Sequence, residues 1–174
     1  KGETLLDTGR TLDHMGTDVI IIRHPMSGAP HLLAKHVRSA VINAGDGMNE
    51  HPTQALLDMF TMREKKGEIK GVMVSIIGDV MHSRVAPPTL MPYDLEAMGV
   101  KATTDVDEAL RGADVVMGLR IQRERQQSGL FPSVSEYSEF FGISSKRMEL
   151  PARDAIVMHP GPVNRGVELN SDVI

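Results

Sequence analysis

Cysteine is absent from the 174-residue chain, and this absence excludes disulfide bonds, thiolate metal sites and a cysteine nucleophile. The lack of cysteine fits a reducing compartment, and we expect a cytoplasmic protein. No apolar run approaches the length of a membrane-spanning helix, and no signal-peptide pattern is present. Acids and bases are interspersed with a formal net charge of −4, so no basic patch indicates binding to nucleic acid.

Several familiar catalytic patterns are missing as well. There is no Gly-x-Gly-x-x-Gly sequence, which argues against a dinucleotide cofactor. No Ser-His-Asp arrangement, metal-ligand spacing or pair of carboxylates stands out. Arginines, a histidine and rigid turns remain, and such a set favours electrostatic transfer chemistry on an anionic donor over covalent catalysis.

Helical and strand patterns alternate along the chain, which predicts an α/β fold with parallel sheets and right-handed crossovers. Ligands of such sheets bind beyond the carboxyl ends of the strands. A charged connector at 67–71, bounded by glycines, predicts a boundary between domains at 1–67 and 68–174. Strands are predicted at 19–22, 40–42, 72–77, 115–119 and 155–158.

The crossover after the third predicted strand is unusually short. Residues 82–86 should open a helix, yet Pro87 and Pro88 stop it within a turn. A parallel sheet needs about a dozen residues to cross over to the next strand. We therefore expect that residues are missing between Ala86 and Pro87.

The most informative segment is 43–60, in which a Gly-rich turn runs into His51-Pro52-Thr53-Gln54 and then into an amphipathic helix pattern. Proline suits the first helical turn because it lacks an N–H that would go unpaired there. His51 and Gln54 would then lie at a helix N-terminus, which attracts anions, and both can donate hydrogen bonds without adding charge. A histidine at this place is often only a cap, but Gln54 on the same face favours a ligand site.

Three further candidates follow predicted strands. Arg23 ends one strand, and its guanidinium fits a phosphate group, although an ion pair at the surface is an equal alternative. Arg120 directly follows another strand at the ligand-facing edge, whereas the charged run beyond it is typical of a solvated face. The pair Gly78-Asp79, followed by Arg84, is typical of an anion site between strand and helix.

A fourth candidate is the turn His159-Pro160-Gly161-Pro162, which follows the last predicted strand. It could be a rigid turn and nothing more. Alternatively, its backbone groups are held stiffly against a ligand, which Gly161 allows to approach closely. Whether Pro160 or Pro162 is cis stays open from the sequence.

Taken together, these segments resemble the aspartate carbamoyltransferase family. The motifs that carry the resemblance span nearly the whole chain. They are Lys1-Gly2-Glu3-Thr4-Leu5, Ile22-Arg23-His24, Ala44-Gly45-Asp46-Gly47, His51-Pro52-Thr53-Gln54, Gly78-Asp79, His82-Ser83-Arg84-Val85, Leu119-Arg120-Ile121-Gln122, Glu124-Arg125 and His159-Pro160-Gly161-Pro162.

The resemblance implies two α/β domains, with carbamoyl phosphate bound by 1–67 and L-aspartate by 68–174. It implies transfer of the carbamoyl group to the aspartate amine in pyrimidine biosynthesis, without a metal or an organic cofactor. Catalytic roles fall to Arg23, His51 and Gln54. The carbamoyl phosphate contacts implied are Arg23, His51, Gln54, Gly161 and Pro162, and the aspartate contacts are Lys1, Arg84, Arg120 and Gln122.

An assembly is also implied. Lys1 matches a lysine of a mobile loop that reaches into the active site of the neighbouring subunit, so the family resemblance predicts a homotrimer with shared sites. It leaves open whether regulatory or dihydroorotase subunits join the trimer.

The sequence departs from the family in what it lacks. The Ser-Thr-Arg-Thr segment that binds phosphate, the helix and strand expected after Ala86, and the C-terminal helix are all absent. We therefore expect a fragment or an incomplete sequence, and little or no activity from a polypeptide of only these 174 residues.

Two alternatives remain. Ornithine carbamoyltransferases typically carry Cys-Leu after the equivalent of His159, where this chain has Pro160-Gly161. An inactive homologue acting as a scaffold in a pyrimidine-pathway assembly is the other, but a scaffold has no need of the arginines and His51.

Overall fold

The computed structural model has an α/β architecture with parallel sheets flanked by helices, which confirms the predicted fold class. None of the helices in the described part of the chain combines the length and the apolar character needed to cross a membrane. The structure describes residues 2–47, 49–78, 99–120 and 133–174.

The chain forms two compact units, Lys1–Thr61 and Met62–Ile174. The domain boundary expected at 67–71 stays a prediction.

The first unit contains a two-stranded parallel sheet and begins with helix α1, Leu5–His14. Strand β1, Val19–His24, pairs with β2, Ala40–Asp46, and the short helix α2, Ala29–Ala34, connects them. Asp13, near the end of α1, accepts hydrogen bonds from the backbone N–H groups of both residues that precede β2, at 2.9 and 2.8 Å. This buried carboxylate therefore fixes the entry to β2.

Strand β2 is longer than the sequence predicts. It continues to Asp46 because pairing with β1 is maintained as far as His24, which lies opposite Asp46. Gly45 has a φ of +114°, a conformation that glycine adopts without a side-chain clash. The Gly-rich turn predicted before His51 therefore begins only after Asp46, because residues 43–46 belong to β2.

Helix α3, Pro52–Lys66, begins at the proline that the sequence predicts for its first turn. The apolar side chains of Leu56, Leu57 and Phe60 share a face, as predicted, but they are 62%, 56% and 53% exposed. Met62, in contrast, is buried.

The second unit is built on a three-stranded parallel sheet in the order β3-β4-β5. Its core lies around Ile77, Leu110 and Val116, which are all almost fully buried. Helix α5 starts with a reciprocal capping box in which Ser133 and Glu136 bond to each other's backbone N–H. The elements of this unit are β3 Val74–Gly78, α4 Val106–Leu110, β4 Val115–Leu119, α5 Val134–Phe141, a 3₁₀ turn Arg147–Glu149 and β5 Ile156–Met158.

Candidate functional site

In the first unit, Arg23 and His51 come together beside the backbone of Gly45. A methyl group placed on Gly45 would lie 3.3 Å from His51 Cδ2 and 3.7 Å from Arg23 Cγ. Arg23 is exposed near the end of β1, and His51 is half-buried directly before α3. The carboxyl end of β1 and the start of α3 therefore bring together a guanidinium and an imidazole, as the strand-edge argument predicts.

The imidazole of His51 caps helix α3 through one ring nitrogen. Its Nδ1 atom accepts a hydrogen bond from the backbone N–H of Gln54 at 3.3 Å and lies 3.1 Å from the hydroxyl of Thr53. An Nδ1 atom that accepts cannot carry a proton, so the proton of the neutral ring is on Nε2. His51 thus caps the helix, as one of the two interpretations of the sequence predicts, and its other ring nitrogen is a hydrogen-bond donor.

Two effects keep this ring neutral. Burial lowers the pKa of His51 from its usual 6.5, and the positive charge of Arg23 lowers it further. The negative charge of Asp58 acts in the opposite direction but is a smaller influence. A neutral donor next to an arginine suits a ligand that has both a phosphate group and a polar carbonyl.

Gln54 is the third residue of α3, and its carboxamide is oriented by its own helix. The Nε2 atom donates a hydrogen bond to Oδ1 of Asp58, one turn further on, at 2.9 Å. Sequence reasoning missed Asp58, although Gln and Asp four residues apart on a helix are a known hydrogen-bonding pair.

Asp46 organises the turn that leads to His51. It is 1% exposed, and its carboxylate accepts hydrogen bonds from the N–H of Gly28 at 2.7 Å, the N–H of Glu50 at 3.0 Å and the side chain of Asn49 at 3.2 Å. The Gly28 bond, the strongest of these influences, and its neighbours lower the pKa of Asp46 to about 2, although burial acts in the opposite direction. Only a Gly-Asp-Gly motif marks this place in the sequence. The role of Asp46 in fixing the turn through buried hydrogen bonds was not predicted.

The described residues include one group that could be considered for a cation. Ligand atoms of His31, Asp46 and Glu50 lie within 4.8 Å of one another. However, the Asp46 oxygens already accept the N–H bonds described above, and His31 and Glu50 are exposed. The chemistry of this group does not fit a metal site.

In the second unit, Arg120 and the turn at 159–162 follow adjacent parallel strands. Met117 of β4 lies opposite Met158 of β5, so the residues after both strands share one edge of the sheet. Arg120 is half-buried directly after β4, and Gly161 and Pro162 are exposed. The peptide bond between Gly161 and Pro162 is cis, which answers the question that the sequence left open.

A buried pair holds this turn. The ring of His159 accepts a hydrogen bond at Nδ1 from the N–H of Gly161 at 2.8 Å, and its Nε2 lies 3.4 Å from Oε1 of Glu168. The same carboxylate oxygen accepts the N–H of Asn164 at 2.7 Å, and Glu168 is 1% exposed. Sequence reasoning missed Glu168, because nothing in its local pattern marks it as buried.

The remaining predicted site residues lie outside the described part of the chain. These are Lys1, Arg84 and Gln122, together with Asp79 and the expected gap between Ala86 and Pro87. The predicted arginine pair for aspartate is therefore described for Arg120 alone.

Comparison with known proteins gives matches along most of the sequence. Residues 1–64 match the aspartate/ornithine carbamoyltransferase carbamoyl-P binding domain, and residues 93–174 match the Asp/Orn binding domain of the same family. The chain is 64% identical to the aspartate carbamoyltransferase catalytic subunit of Acetivibrio thermocellus, covering 100% of this chain and 62% of the relative. It is 63% identical to that of Ruminiclostridium cellulolyticum, with 99% and 61% covered.

A solved structure is similar throughout the described fold. The chain matches the aspartate transcarbamoylase of Trypanosoma cruzi, in complex with N-(phosphonacetyl)-L-aspartic acid, with a TM-score of 0.84 and 34% identity, covering 99% of this chain and 62% of that one. The chain thus spans about three fifths of the length of these relatives. The alignment with the A. thermocellus protein runs over 192 positions for a chain of 174 residues, so that relative has internal residues without a counterpart here.

Proposed function

Because the chain belongs to the aspartate/ornithine carbamoyltransferase family, we propose that its protein transfers the carbamoyl group of carbamoyl phosphate to the amine of L-aspartate. The products are N-carbamoyl-L-aspartate and phosphate, a step of de novo pyrimidine biosynthesis. One observation carries this proposal. His51, directly before α3, is neutral with its proton on Nε2, and it lies beside Arg23 of β1.

In the proposed reaction, Arg23 neutralises charge on the phosphate of carbamoyl phosphate. His51 donates from Nε2 to the carbamoyl oxygen, where negative charge develops as the aspartate amine attacks the carbon. A neutral donor is suitable because it polarises the carbonyl without needing to lose a proton. Gln54 orients the carbamoyl group, and the departing phosphate takes the proton of the amine.

Residues of the second unit are proposed for the other contacts. Gly161 and Pro162 offer backbone groups to carbamoyl phosphate, and Arg120 binds a carboxylate of aspartate. Two charge-assisted contacts to a dicarboxylate would fix the attacking amine, an orientation effect of several kcal/mol. The aspartate contacts assigned from the family resemblance are Arg120, Arg84, Gln122 and Lys1.

The assembly and location are also part of the proposal. We infer a cytoplasmic homotrimer in which Lys1 contributes to a neighbouring subunit, with carbamoyl phosphate and L-aspartate as its small-molecule partners. The support is the family resemblance of the Lys1 segment. We further propose that residues 1–67 form the carbamoyl phosphate domain and 68–174 the aspartate domain.

Both alternatives are less well supported. The curated relatives with 50–64% identity are named aspartate carbamoyltransferases, and Pro160 stands where ornithine enzymes typically carry cysteine. A scaffold would not require a neutral imidazole oriented by a helix N-terminus.

The test is a carbamoyl aspartate assay on the protein produced from its complete gene, with the 174-residue chain measured in parallel. We expect product with L-aspartate and none with L-ornithine. Product with ornithine alone would make the protein an ornithine carbamoyltransferase. No product with either amino acid, together with tight binding to another pathway enzyme, would support the scaffold.

A further inference from the structure

Asp58 lies one helical turn beyond Gln54 and is half-buried on α3. Its Oδ1 atom accepts a hydrogen bond of 2.9 Å from Nε2 of Gln54. Burial raises the pKa of Asp58, whereas this hydrogen bond and, when its ring is protonated, the charge of His51 act to lower it. Asp58 therefore belongs to the same local group as His51 and Gln54, yet nothing in the proposed chemistry uses it.

The carboxamide of Gln54 has a donating end and an accepting end, and its two orientations present opposite chemistry to a ligand. An ionised carboxylate can only accept hydrogen bonds, so Asp58 binds the donating Nε2 end. The accepting Oε1 end is consequently turned away from Asp58. This choice matters because carbamoyl phosphate has an NH₂ group that needs an acceptor.

We infer that Asp58 is a positioning residue that fixes Gln54 with Oε1 towards the carbamoyl NH₂, and so makes the site select carbamoyl phosphate over other acyl phosphates. The inference rests on the proposed function and deepens it. His51 completes the recognition because its Nε2–H can donate to the carbamoyl oxygen while Gln54 accepts from the carbamoyl nitrogen. A donor and an acceptor three residues apart then match the two ends of one amide group.

Acetyl phosphate tests this selection because a methyl group replaces the NH₂ and cannot donate. We would measure dissociation constants for carbamoyl phosphate, acetyl phosphate and inorganic phosphate, together with KM and kcat, on the protein from its complete gene. The Asp58→Leu variant removes the acceptor while keeping the number and branching of the side-chain heavy atoms. We expect the preference for carbamoyl over acetyl phosphate to fall about tenfold, the size of one hydrogen bond, with inorganic phosphate bound as before.

Matched variants separate positioning from simple support of the helix. Asp58→Asn keeps an acceptor oxygen and should restore most of the preference. Glu64→Gln changes the same charge on an exposed position of α3 and should leave the preference unchanged. In a Gln54→Met background, Asp58→Leu should have no further effect on the preference, because the group that it positions is absent.

The outcomes distinguish this inference from the proposed function. An unchanged preference in Asp58→Leu, or an equal loss of affinity for all three ligands, overturns the inference and leaves the proposed function intact. A parent protein that binds carbamoyl and acetyl phosphate equally well also overturns it. A parent that prefers carbamoyl phosphate through Asp58 but forms no carbamoyl aspartate supports the inference and overturns the proposed function.

Discussion

The Nδ1 atom of His51 accepts a hydrogen bond at 3.3 Å from the backbone N–H of Gln54, which also donates to the carbonyl oxygen of His51 at 3.1 Å. The contact to Nδ1 couples the capping of α3 to the position of the imidazole proton. Helix caps are usually supplied by Ser, Thr, Asp or Asn, whose side-chain oxygen accepts a hydrogen bond from a backbone N–H of the first turn. An imidazole has a second nitrogen, and accepting at the first determines that the second donates. The helix start thus determines which ring nitrogen of His51 can donate to a ligand.

Replacing His51 should separate these two roles. His51→Asn retains a good capping side chain, so we expect near-normal stability with kcat lowered about 10²–10³-fold by loss of a donor to the developing oxyanion. His51→Ala loses both roles and should also cost about 1 kcal/mol of stability. Urea unfolding and steady-state kinetics on both variants check this. Equal stability losses in the two would contradict the capping role.

The stability of the fold should depend on His51 in a defined pH window. Its pKa is lowered from 6.5 in the folded state, so between the lowered value and 6.5 the unfolded chain binds more protons than the folded one. The free energy of unfolding should therefore rise with pH through this window, and the rise should be smaller in His51→Asn.

Asp58 contributes the opposite slope, because burial raises its pKa above 3.8 and the folded chain therefore binds more protons than the unfolded one between 3.8 and the raised value. Asp58→Asn, measured in parallel by urea unfolding, isolates this contribution. For His51, the contradicting result would be a free energy of unfolding that depends on pH identically in His51→Asn and in the parent protein.

Arg120→Ala should raise the KM for aspartate much more than the KM for carbamoyl phosphate, which has no carboxylate. Loss of a charge-assisted contact to a carboxylate predicts a KM for aspartate raised about 10–100-fold, with the KM for carbamoyl phosphate little changed. Arg153→Ala, an exposed arginine of the same unit, is the control. An unchanged KM for aspartate would show that Arg120 has another role.

Glu168→Ala should destabilise the second unit. The N–H of Asn164 donates to this buried carboxylate at 2.7 Å, and loss of a buried acceptor costs about 1–3 kcal/mol. Glu168→Gln keeps an acceptor oxygen and should recover most of that loss, whereas Glu139→Ala on the exposed surface of α5 should have little effect. Chemical denaturation gives all three values, and similar stability for Glu168→Ala and Glu139→Ala would refute the assignment.

The alternation of patterns was sufficient to predict the α/β class and the start of α3 at Pro52, because these follow from local periodicity and from proline chemistry. The extent of β2 was not predictable in the same way. Glycines at 45 and 47 are typical of a turn, but the strand continues because pairing reaches His24. Tertiary pairing thus overrode local composition.

The positions of candidate residues were predictable where they lie near strand ends, as Arg23 does, or directly before a helix, as His51 does, and their roles in a site stay predictions. The role of a residue was not predictable where that residue acts on another one that is distant in the sequence. Asp46 and Glu168 are distinguished by burial and by the N–H groups around them, and neither is visible in a linear pattern. The role of Asp58 was predictable in part. Its spacing from Gln54 favours a hydrogen bond, but the sequence did not indicate which end of the carboxamide would bind.

The Asp46 carboxylate has a consequence for binding energy. Its bonds to Gly28, Asn49 and Glu50 fix the turn before His51 when the chain folds. The conformational entropy of that turn is therefore lost when the chain folds. A ligand of the proposed site would not have to offset this loss with its binding energy. We therefore expect the affinity of the proposed site to depend on Asp46, an aspartate assigned no ligand contact.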